Sequence, residues 1–249
     1  MKTRLLIFLL GLSFASHAQV DQIKSQSSSN ATRSRSSSGE GSSGSGGNGG
    51  GFWFVLRSFQ LIGAWQGEKL SHRDSVPQMV SLELMPQIAV QPSSYYLALP
   101  RIRGNWGLFS TDVRYNYLLQ DNGGSWSDLS TVDWQILELN LVTTRSVTGR
   151  IGAGVLRERF GANQSFLEWT AGVQIFPRQS PWGGGGEFRY AKDHTTQMVP
   201  RREFSLHLER QFLQSGAWHA SWILGGVYQK YYESITVWAI QTGVTFRLY

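Results

Sequence analysis

The sequence of 249 residues contains no cysteine, and no apolar run of 18 or more residues follows its first twenty positions. The missing cysteine excludes a disulfide scaffold, a thiol nucleophile, an iron–sulfur cluster and a cysteine-ligated zinc site. The missing apolar runs exclude a protein that crosses a membrane with several helices, because each such helix needs about 20 apolar residues. The class of protein must therefore be read from the residues that are abundant.

Charged residues are scarce at 16%, whereas the chain has 28 glycines and 32 aromatic residues. This composition argues against a disordered chain. The formal net charge is +6, but residues 52–249 hold 18 basic and 15 acidic residues, which leaves +3 for that part. No basic stripe with interleaved aromatic residues occurs, so nucleic acid is not a predicted partner.

The first 18 residues are typical of a secretory signal peptide. Lys2 and Arg4 precede an apolar run of about ten residues, and Ser16 and Ala18 give a small–any–small cleavage pattern. The run is too short to span a bilayer as a helix. We therefore exclude residues 1–18 from the predicted fold and expect export.

Residues 19–51 are predicted to be a disordered tether. Serine and glycine supply 19 of the 27 residues from 25 to 51. Such a segment buries too little apolar surface to offset the entropy lost on ordering it. We expect a flexible spacer of this composition.

Residues 52–249 alternate between apolar and polar side chains with a period of two, which is typical of β-strands. In 218–228, for example, Trp218 and Trp222 share one face, and His219 and Ser221 share the other. Turn-forming residues separate the alternating runs. About ten strands are predicted, at 52–66, 77–91, 104–119, 129–143, 147–159, 164–177, 184–193, 200–214, 216–230 and 233–249.

Alternation fits either a soluble exported β domain or a membrane barrel, in which the apolar face meets lipid and the polar face fills the interior. Three features favour the barrel: the predicted export, the strand lengths, and tryptophan and tyrosine near the strand ends. The aromatic residues at those ends are Trp65, Trp106, Trp126, Trp182, Tyr228, Tyr231, Tyr232 and Tyr249. We predict an all-β fold, an antiparallel up-and-down transmembrane β-barrel.

With its signal peptide, its amphipathic strands and a last strand ending Phe246-Arg247-Leu248-Tyr249, the chain resembles small Gram-negative outer-membrane β-barrel proteins. The resemblance implies residence in the cell outer membrane, contact with membrane lipid and lipopolysaccharide, and insertion by the barrel assembly machinery. In that family the terminal strand with its last aromatic residue is the signal that the machinery reads. Arg247 stands where the family often has an apolar residue.

A barrel of about ten strands has an interior filled largely by side chains, whereas open channels need about 16–18 strands. A polar network of both charge signs is therefore predicted inside the barrel, either as a structural plug or as a narrow path or binding site. The residues predicted to face the interior are Asp112, Arg114, Glu158, Glu168, Glu187, Arg189, His207 and Glu209.

One candidate catalytic set is present near the end of the chain. His219 and Ser221 lie two residues apart, and Glu233 follows twelve residues after Ser221. A serine nucleophile, a histidine base and a carboxylate that orients it form a constellation for acyl transfer. This spacing resembles the lipid A 3-O-deacylase barrels, although Trp222 replaces the asparagine that follows their serine.

The sequence leaves three hypotheses open. The first is an outer-membrane barrel without catalytic machinery, with a structural, binding or narrow-pore role. The second is an outer-membrane acyl hydrolase acting on lipid A, and the third is a soluble exported β domain that binds a partner. No metal site or cofactor is predicted, because His72, His194 and His207 do not have the spacing of metal ligands.

Overall fold

A computed structural model describes residues 19–37, 67–68, 71, 79–91, 95–144, 146–176 and 180–249. The predicted signal peptide and the predicted strand at 52–66 lie outside these residues. The described elements are one long helix, α1 (Gln19–Ser37), and twelve strands. The strands are β1 (Val80–Met85), β2 (Gln87–Gln91), β3 (Tyr95–Ala98), β4 (Arg101–Trp106), β5 (Phe109–Asp121), β6 (Trp126–Thr143), β7 (Val147–Glu158), β8 (Ser165–Ile175), β9 (Trp182–Lys192), β10 (Arg201–Ser215), β11 (Trp218–Tyr231) and β12 (Ile235–Leu248).

The strands form a closed antiparallel β-barrel. Strands β5 to β12 pair in chain order, each with the next. The barrel closes where β12 pairs with β1, with Leu82 opposite Leu248, and with β2, with Val90 opposite Ile240. The predicted all-β, up-and-down barrel is therefore confirmed.

Ten strands make the barrel wall, because two of them are each interrupted by a proline. Strands β1 and β2 both pair with β12 and are separated by Pro86. Strands β3 and β4 both pair with β5 and are separated where Pro100 lies. Proline has no N–H to donate to the ladder, but the carbonyl groups of Pro86 and Pro100 still accept hydrogen bonds from Val244 and Tyr115.

The predicted number of ten strands agrees with the wall, but one predicted strand is wrong. Residues 104–119 are not a single strand, because the chain turns at Gly107 between β4 and β5. Gly107 has φ of 66°, which glycine adopts without steric cost, and this allows a two-residue connection. Residues 92–103 are a predicted connection, but β3 and β4 occupy 95–106 and supply the tenth strand of the wall, whereas the predicted strand at 52–66 lies outside the described residues.

The barrel has an apolar outside and a polar inside. Large apolar side chains such as Leu206, Leu208 and Leu224 are exposed on the outer face. Charged side chains such as Asp112, Asp133 and Glu168 are fully buried in the interior. A water-soluble β domain has the opposite arrangement, because it buries its apolar face in a core.

Exposed aromatic side chains lie on the outer face at both ends of the barrel. Trp106, Trp182 and Trp218 lie at the end where β12 finishes, which we name the C-terminal end. Trp126 and Tyr96 contact each other at the opposite end, with ring centroids 6.1 Å apart. Tyr231 and Tyr232, which we expected among these outer residues, are instead buried.

Helix α1 differs from the tether that we predicted for residues 19–51. Its face toward the barrel repeats every three or four residues, through Val20, Ile23, Ser27, Asn30 and Ala31, all of them buried. The helix covers the end of the barrel opposite the C-terminal end, which we name the helix end. Composition alone misses this helix because two of these five buried residues are polar, and the face is stabilised by contacts with the barrel.

Candidate functional site in the barrel interior

The polar interior contains a first cluster of ion pairs on strands β4, β5 and β9. Arg189 donates to Asp112 at 2.8 Å and to Glu187 at 2.6 Å. Arg101 also donates to Asp112, and to Glu187 at 2.6 Å. Arg103 lies 3.2 Å from both carboxylates. The cluster therefore joins opposite walls, because β4 and β9, which carry Arg101 and Glu187, lie five strands apart in either direction around the ten-stranded wall.

A second cluster lies nearer the helix end and joins strands β5, β6, β8 and β10. Asp133 accepts from Arg114 at 2.6 Å and lies 2.7 Å from Arg201. Arg114 also pairs with Glu203, and Arg201 donates to Glu168 at 3.1 Å. These groups interlock, so each charge has partners on more than one strand.

A third group of polar side chains lies nearer the C-terminal end. Arg247 pairs with both carboxylate oxygens of Glu209, and its guanidinium lies 4.9 Å from the ring centroid of Phe176. Glu83 lies 3.6 Å from Arg247. Arg247 in the last strand thus faces the interior and joins β12 to β10.

The structure places the predicted interior residues inside the barrel. Asp112, Arg114, Glu168, Glu187, Arg189 and Glu209 are buried and paired, and His207 is half-buried on the same face of β10. Glu158 is also buried, at the helix end. Sequence reasoning missed further members of the network, namely Glu83, Arg101, Arg103, Asp133, Glu138, Arg150, Arg201, Glu203 and Arg247. The sequence signal that could have identified them is their position in the period-two alternation, which places them on the inward face of their strands.

The interior has little free space. A cavity of about 40 Å³ next to His207, Gln241 and Thr245 is lined by the first and third clusters. A second cavity of about 10 Å³ lies between Glu83, Asn140 and Arg247. Since one water occupies roughly 10–15 Å³ on this measure, these spaces hold a few waters at most. Neither forms an open channel.

The candidate catalytic set is not assembled. His219 and Ser221 lie on β11 near the C-terminal end, where the His219 ring packs against Tyr249 with centroids 4.7 Å apart. Glu233 lies in the turn after β11 and accepts from Arg202 at 2.7 Å. Twelve strand positions at about 3.3 Å each put roughly 40 Å between His219 and that turn. The sequence spacing misled because β11 continues without a bend after Ser221.

The described residues contain no group of three or more histidine, aspartate or glutamate side chains arranged to hold a metal ion. His72 lies outside those residues. In the part of the chain that the structure describes, no helix is long and apolar enough to cross a membrane.

The helix end of the interior is apolar, in contrast to the rest of it, and α1 fills it. Val20 and Ile23 are fully buried there. They belong to one apolar cluster with Ala89, Tyr95, Leu97, Leu99, Leu118, Leu129, Phe160, Val227, Tyr231, Tyr232, Ile235, Val237 and Ala239. This cluster continues the barrel interior, so α1 closes the barrel at this end.

Polar contacts hold α1 around that apolar cluster. Ser27 donates to Glu158 at 2.6 Å, and Glu158 also accepts from the Tyr232 hydroxyl at 2.7 Å. Asn30 donates to Asp193 at 2.9 Å. Burial and the neighbouring Glu158 carboxylate raise the pKa of Tyr232, which lies in the turn after β11. Tyr232 therefore stays protonated and donates its hydrogen bond at any physiological pH.

Asp193 lies in the connection after β9, and its carboxylate is the main acceptor for the second half of α1. Burial raises its pKa, but hydrogen bonds from Thr196, Asn30 and the backbone N–H groups of Thr195 and Thr196 outweigh that effect. The pKa of Asp193 is consequently below its ordinary value. A charged Asp193 is therefore the form that fits α1.

Comparisons with known proteins find similarity among solved structures. No family model matches the chain, and no curated protein matches it. Among solved structures, the N-terminal β-barrel domain of OprF from Pseudomonas aeruginosa is similar at 13% identity and a TM-score of 0.32. The match covers 68% of this chain and 98% of that one. The barrel described above rests on its own strand pairing.

Proposed function

We propose that the chain is an integral outer-membrane β-barrel with a structural or binding role, rather than an open diffusion pore. The observation that carries this proposal is the inverted polarity of the wall, with apolar side chains outside and paired charges inside. Strands β5 to β12 run for 11 to 18 residues. A tilted strand needs about 9–11 residues to cross the hydrocarbon layer, so these strands are long enough.

The aromatic side chains at both ends support the same placement. In membrane barrels, tryptophan and tyrosine form girdles at the two water–lipid interfaces. Trp106, Trp182 and Trp218 fit one girdle, and Trp126 with Tyr96 fits the other. A soluble exported domain is disfavoured, because its outer face would hold this whole apolar band in water.

The closed interior supports a role other than passive diffusion. Ion pairs join opposite walls, and α1 fills the helix end, so two separate obstacles lie along the barrel axis. With this placement, the partners we propose are membrane lipid, lipopolysaccharide and the barrel assembly machinery, which would insert the chain after export by its signal peptide.

Cell fractionation and heat-modifiable gel migration test the membrane placement. We expect the protein in the outer-membrane fraction, migrating faster in unheated than in boiled samples because the closed barrel resists detergent. Recovery in the soluble periplasm would contradict the proposal. Planar-bilayer recordings test the closed interior, and a steady conductance of porin size in the purified protein would contradict it.

A further inference from the structure

The outer wall carries a groove that interrupts the apolar band. Its volume is about 900 Å³, and its floor is formed by Gly184 and Gly186 on the outer face of β9. Leu206 of β10 borders the groove on one side, and on the other side the groove continues past Val173 of β8 to Gly149 of β7. The volume lies within the roughly 300–1,000 Å³ that is usual for small-molecule sites.

The groove is deep at Gly184 and Gly186 because the neighbouring strand packs closely against these two positions. A Cβ atom added at Gly184 would lie 2.9 Å from the backbone oxygen of His207. One added at Gly186 would lie 2.9 Å from a methyl group of Leu206. A larger residue at either position would need its neighbours to move, so glycine keeps the groove open.

The two ends of the groove differ in chemistry. Phe188 closes the end that lies toward the middle of the barrel. Trp182 closes the end at the C-terminal end of the barrel, where the Arg210 guanidinium lies 5.3 Å from its ring centroid. Arg210 is exposed, and no carboxylate among the described residues lies within ion-pair distance of it. An apolar groove thus ends at an unpaired cation.

The length of the groove matches one leaflet of a bilayer. Six strand positions separate Trp182 from Phe188, which is about 20 Å at roughly 3.3 Å per residue. A strand tilted by about 40° therefore covers roughly 15 Å of depth. The hydrocarbon core is about 30 Å thick, so the groove extends from one interface to near the bilayer centre.

We propose that this groove binds one acyl chain of a membrane phospholipid, with the lipid phosphate held by Arg210. This inference rests on the proposed membrane placement, which brings the groove into contact with lipid. The apolar sides recognise the chain by burying it, and Arg210 recognises the phosphate by a charge-assisted hydrogen bond. Trp182 lies between them at the level of the headgroup.

Native mass spectrometry of the full chain released from detergent tests the site, with dipalmitoyl phosphatidylglycerol as the probe. Gly149→Leu fills the groove, because a Cβ atom there meets only Val142, at 3.8 Å. Its control is Gly226→Leu, on the outer face of β11 beyond Leu206 and outside the lining of the groove, where the nearest contact is also at 3.8 Å. Both changes place leucine on the lipid-facing wall, but only one fills the groove.

A second pair of variants tests the phosphate contact. Arg210→Ala removes the unpaired cation, and Arg202→Ala is its control. Arg202 also lies on the outer face of β10 and over an aromatic ring, that of Tyr190, but it is paired with Glu233 and lies outside the groove. A lost charge-assisted contact corresponds to roughly a tenfold weaker affinity.

We expect the wild type and both controls to retain one phospholipid per barrel, and Gly149→Leu and Arg210→Ala to retain it about tenfold less well. Equal retention by all five proteins would overturn the inference. So would a wild-type dimer that Gly149→Leu converts to a monomer, because the groove would then be an interface between copies. Heat-modifiable migration shows that each variant is folded, and cell fractionation of the wild type separates these failures from failure of the membrane placement itself.

Discussion

At the scale of single residues, arginine supplies the buried positive charge of the interior. The buried cations among the described residues are Arg103, Arg114, Arg150, Arg189, Arg201 and Arg247, and no lysine is buried with them. A guanidinium stays charged and presents several donors in one plane, so it can bridge carboxylates on different strands. Arg201, between Asp133 and Glu168, shows this use.

Asp133, like Asp112 and Glu187, has three arginines within 4 Å, in its case Arg114, Arg201 and Arg189. Asp133→Asn keeps the shape but leaves these arginines without their shared counter-charge. Breaking a buried pair costs about 3–5 kcal/mol, so we expect a loss of about 3 kcal/mol in the free energy of unfolding. Urea titration in detergent, followed by gel migration, measures it.

The matched control for this variant is Asp128→Asn. Asp128 lies on the same strand but is exposed, so its charge is solvated. We expect the control to unfold at the wild-type urea concentration. Equal midpoints for both variants would show that the interior ion pairs do not hold the barrel together.

Asp193 provides a prediction about protonation. Asn30→Ala removes one hydrogen bond to its carboxylate, so we expect the pKa of Asp193 to rise toward its ordinary value. With α1 docked, the pKa of Asp193 is below its ordinary value. The contribution of the Asn30–Asp193 contact to stability is therefore fully present above the ordinary carboxyl pKa and is lost as the pH falls through the lowered pKa. Carboxyl NMR titration measures this, and an unchanged pKa in the variant would contradict the contact.

At the scale of elements, α1 depends on the barrel for its helical structure. Its sequence is rich in serine, which is a weak helix former, so tertiary contacts must supply the stability. Val20 and Ile23 contribute apolar burial, and Ser27 and Asn30 contribute hydrogen bonds. Each of these contacts is therefore expected to control how often the helix undocks.

Ser27 and Ser28 are neighbours with different surroundings. Ser27 is buried and donates to Glu158, whereas Ser28 is exposed and donates only to the Lys24 carbonyl of its own helix. Removing a buried hydrogen bond costs about 1–3 kcal/mol, so Ser27→Ala should speed amide exchange in α1 by about tenfold or more. Ser28→Ala should leave exchange unchanged. Hydrogen–deuterium exchange measures both, and similar rates would contradict docking through Ser27.

The sequence predicts the strands well where alternation is unbroken. Strand β12 lies within the predicted strand at 233–249. Gly107 was missed because the residues on both sides of it continue an alternating pattern, and only its positive φ ends the strand. Helix α1 was missed because its buried face matches a polar surface that exists only in the folded barrel.

From the sequence, the candidate site could be predicted only as a set of side chains that face the barrel interior. Alternation places Arg114 and Glu187 on the interior side of their strands, but it does not say which charges meet. Arg114 pairs with Glu203, 89 residues away, because barrel closure brings β5 and β10 to face each other. The three-dimensional partners of an interior charge therefore depend on strand number and register, which no local pattern contains.

At the scale of the whole molecule, the barrel axis is closed at two levels. Helix α1 fills the apolar layer at the helix end. The ion-pair clusters fill the middle, where the cavities of about 40 and 10 Å³ hold a few waters at most. Because α1 and the ion-pair clusters lie one after the other along the barrel axis, either of them is enough to keep the passage closed. Conductance should therefore respond to the two closures together and not to each alone.

This logic gives a prediction with three variants. Deleting residues 19–37 removes α1, and replacing Arg101, Glu187, Arg114 and Glu203 together by serine removes one matched pair of opposite charges from each of the two clusters that join opposite walls. We expect each change alone to leave planar-bilayer conductance near the wild-type level. The combination should open a polar path through the barrel. This path would be seen as discrete conductance steps that large solutes block.

Heat-modifiable migration must show that each variant is still a folded barrel. A porin-sized conductance from the α1 deletion alone would contradict this prediction, because the ion pairs would then not obstruct the interior. A combined variant without conductance would also contradict it, because the remaining charged side chains would then close the interior in the absence of α1 and of the replaced ion pairs.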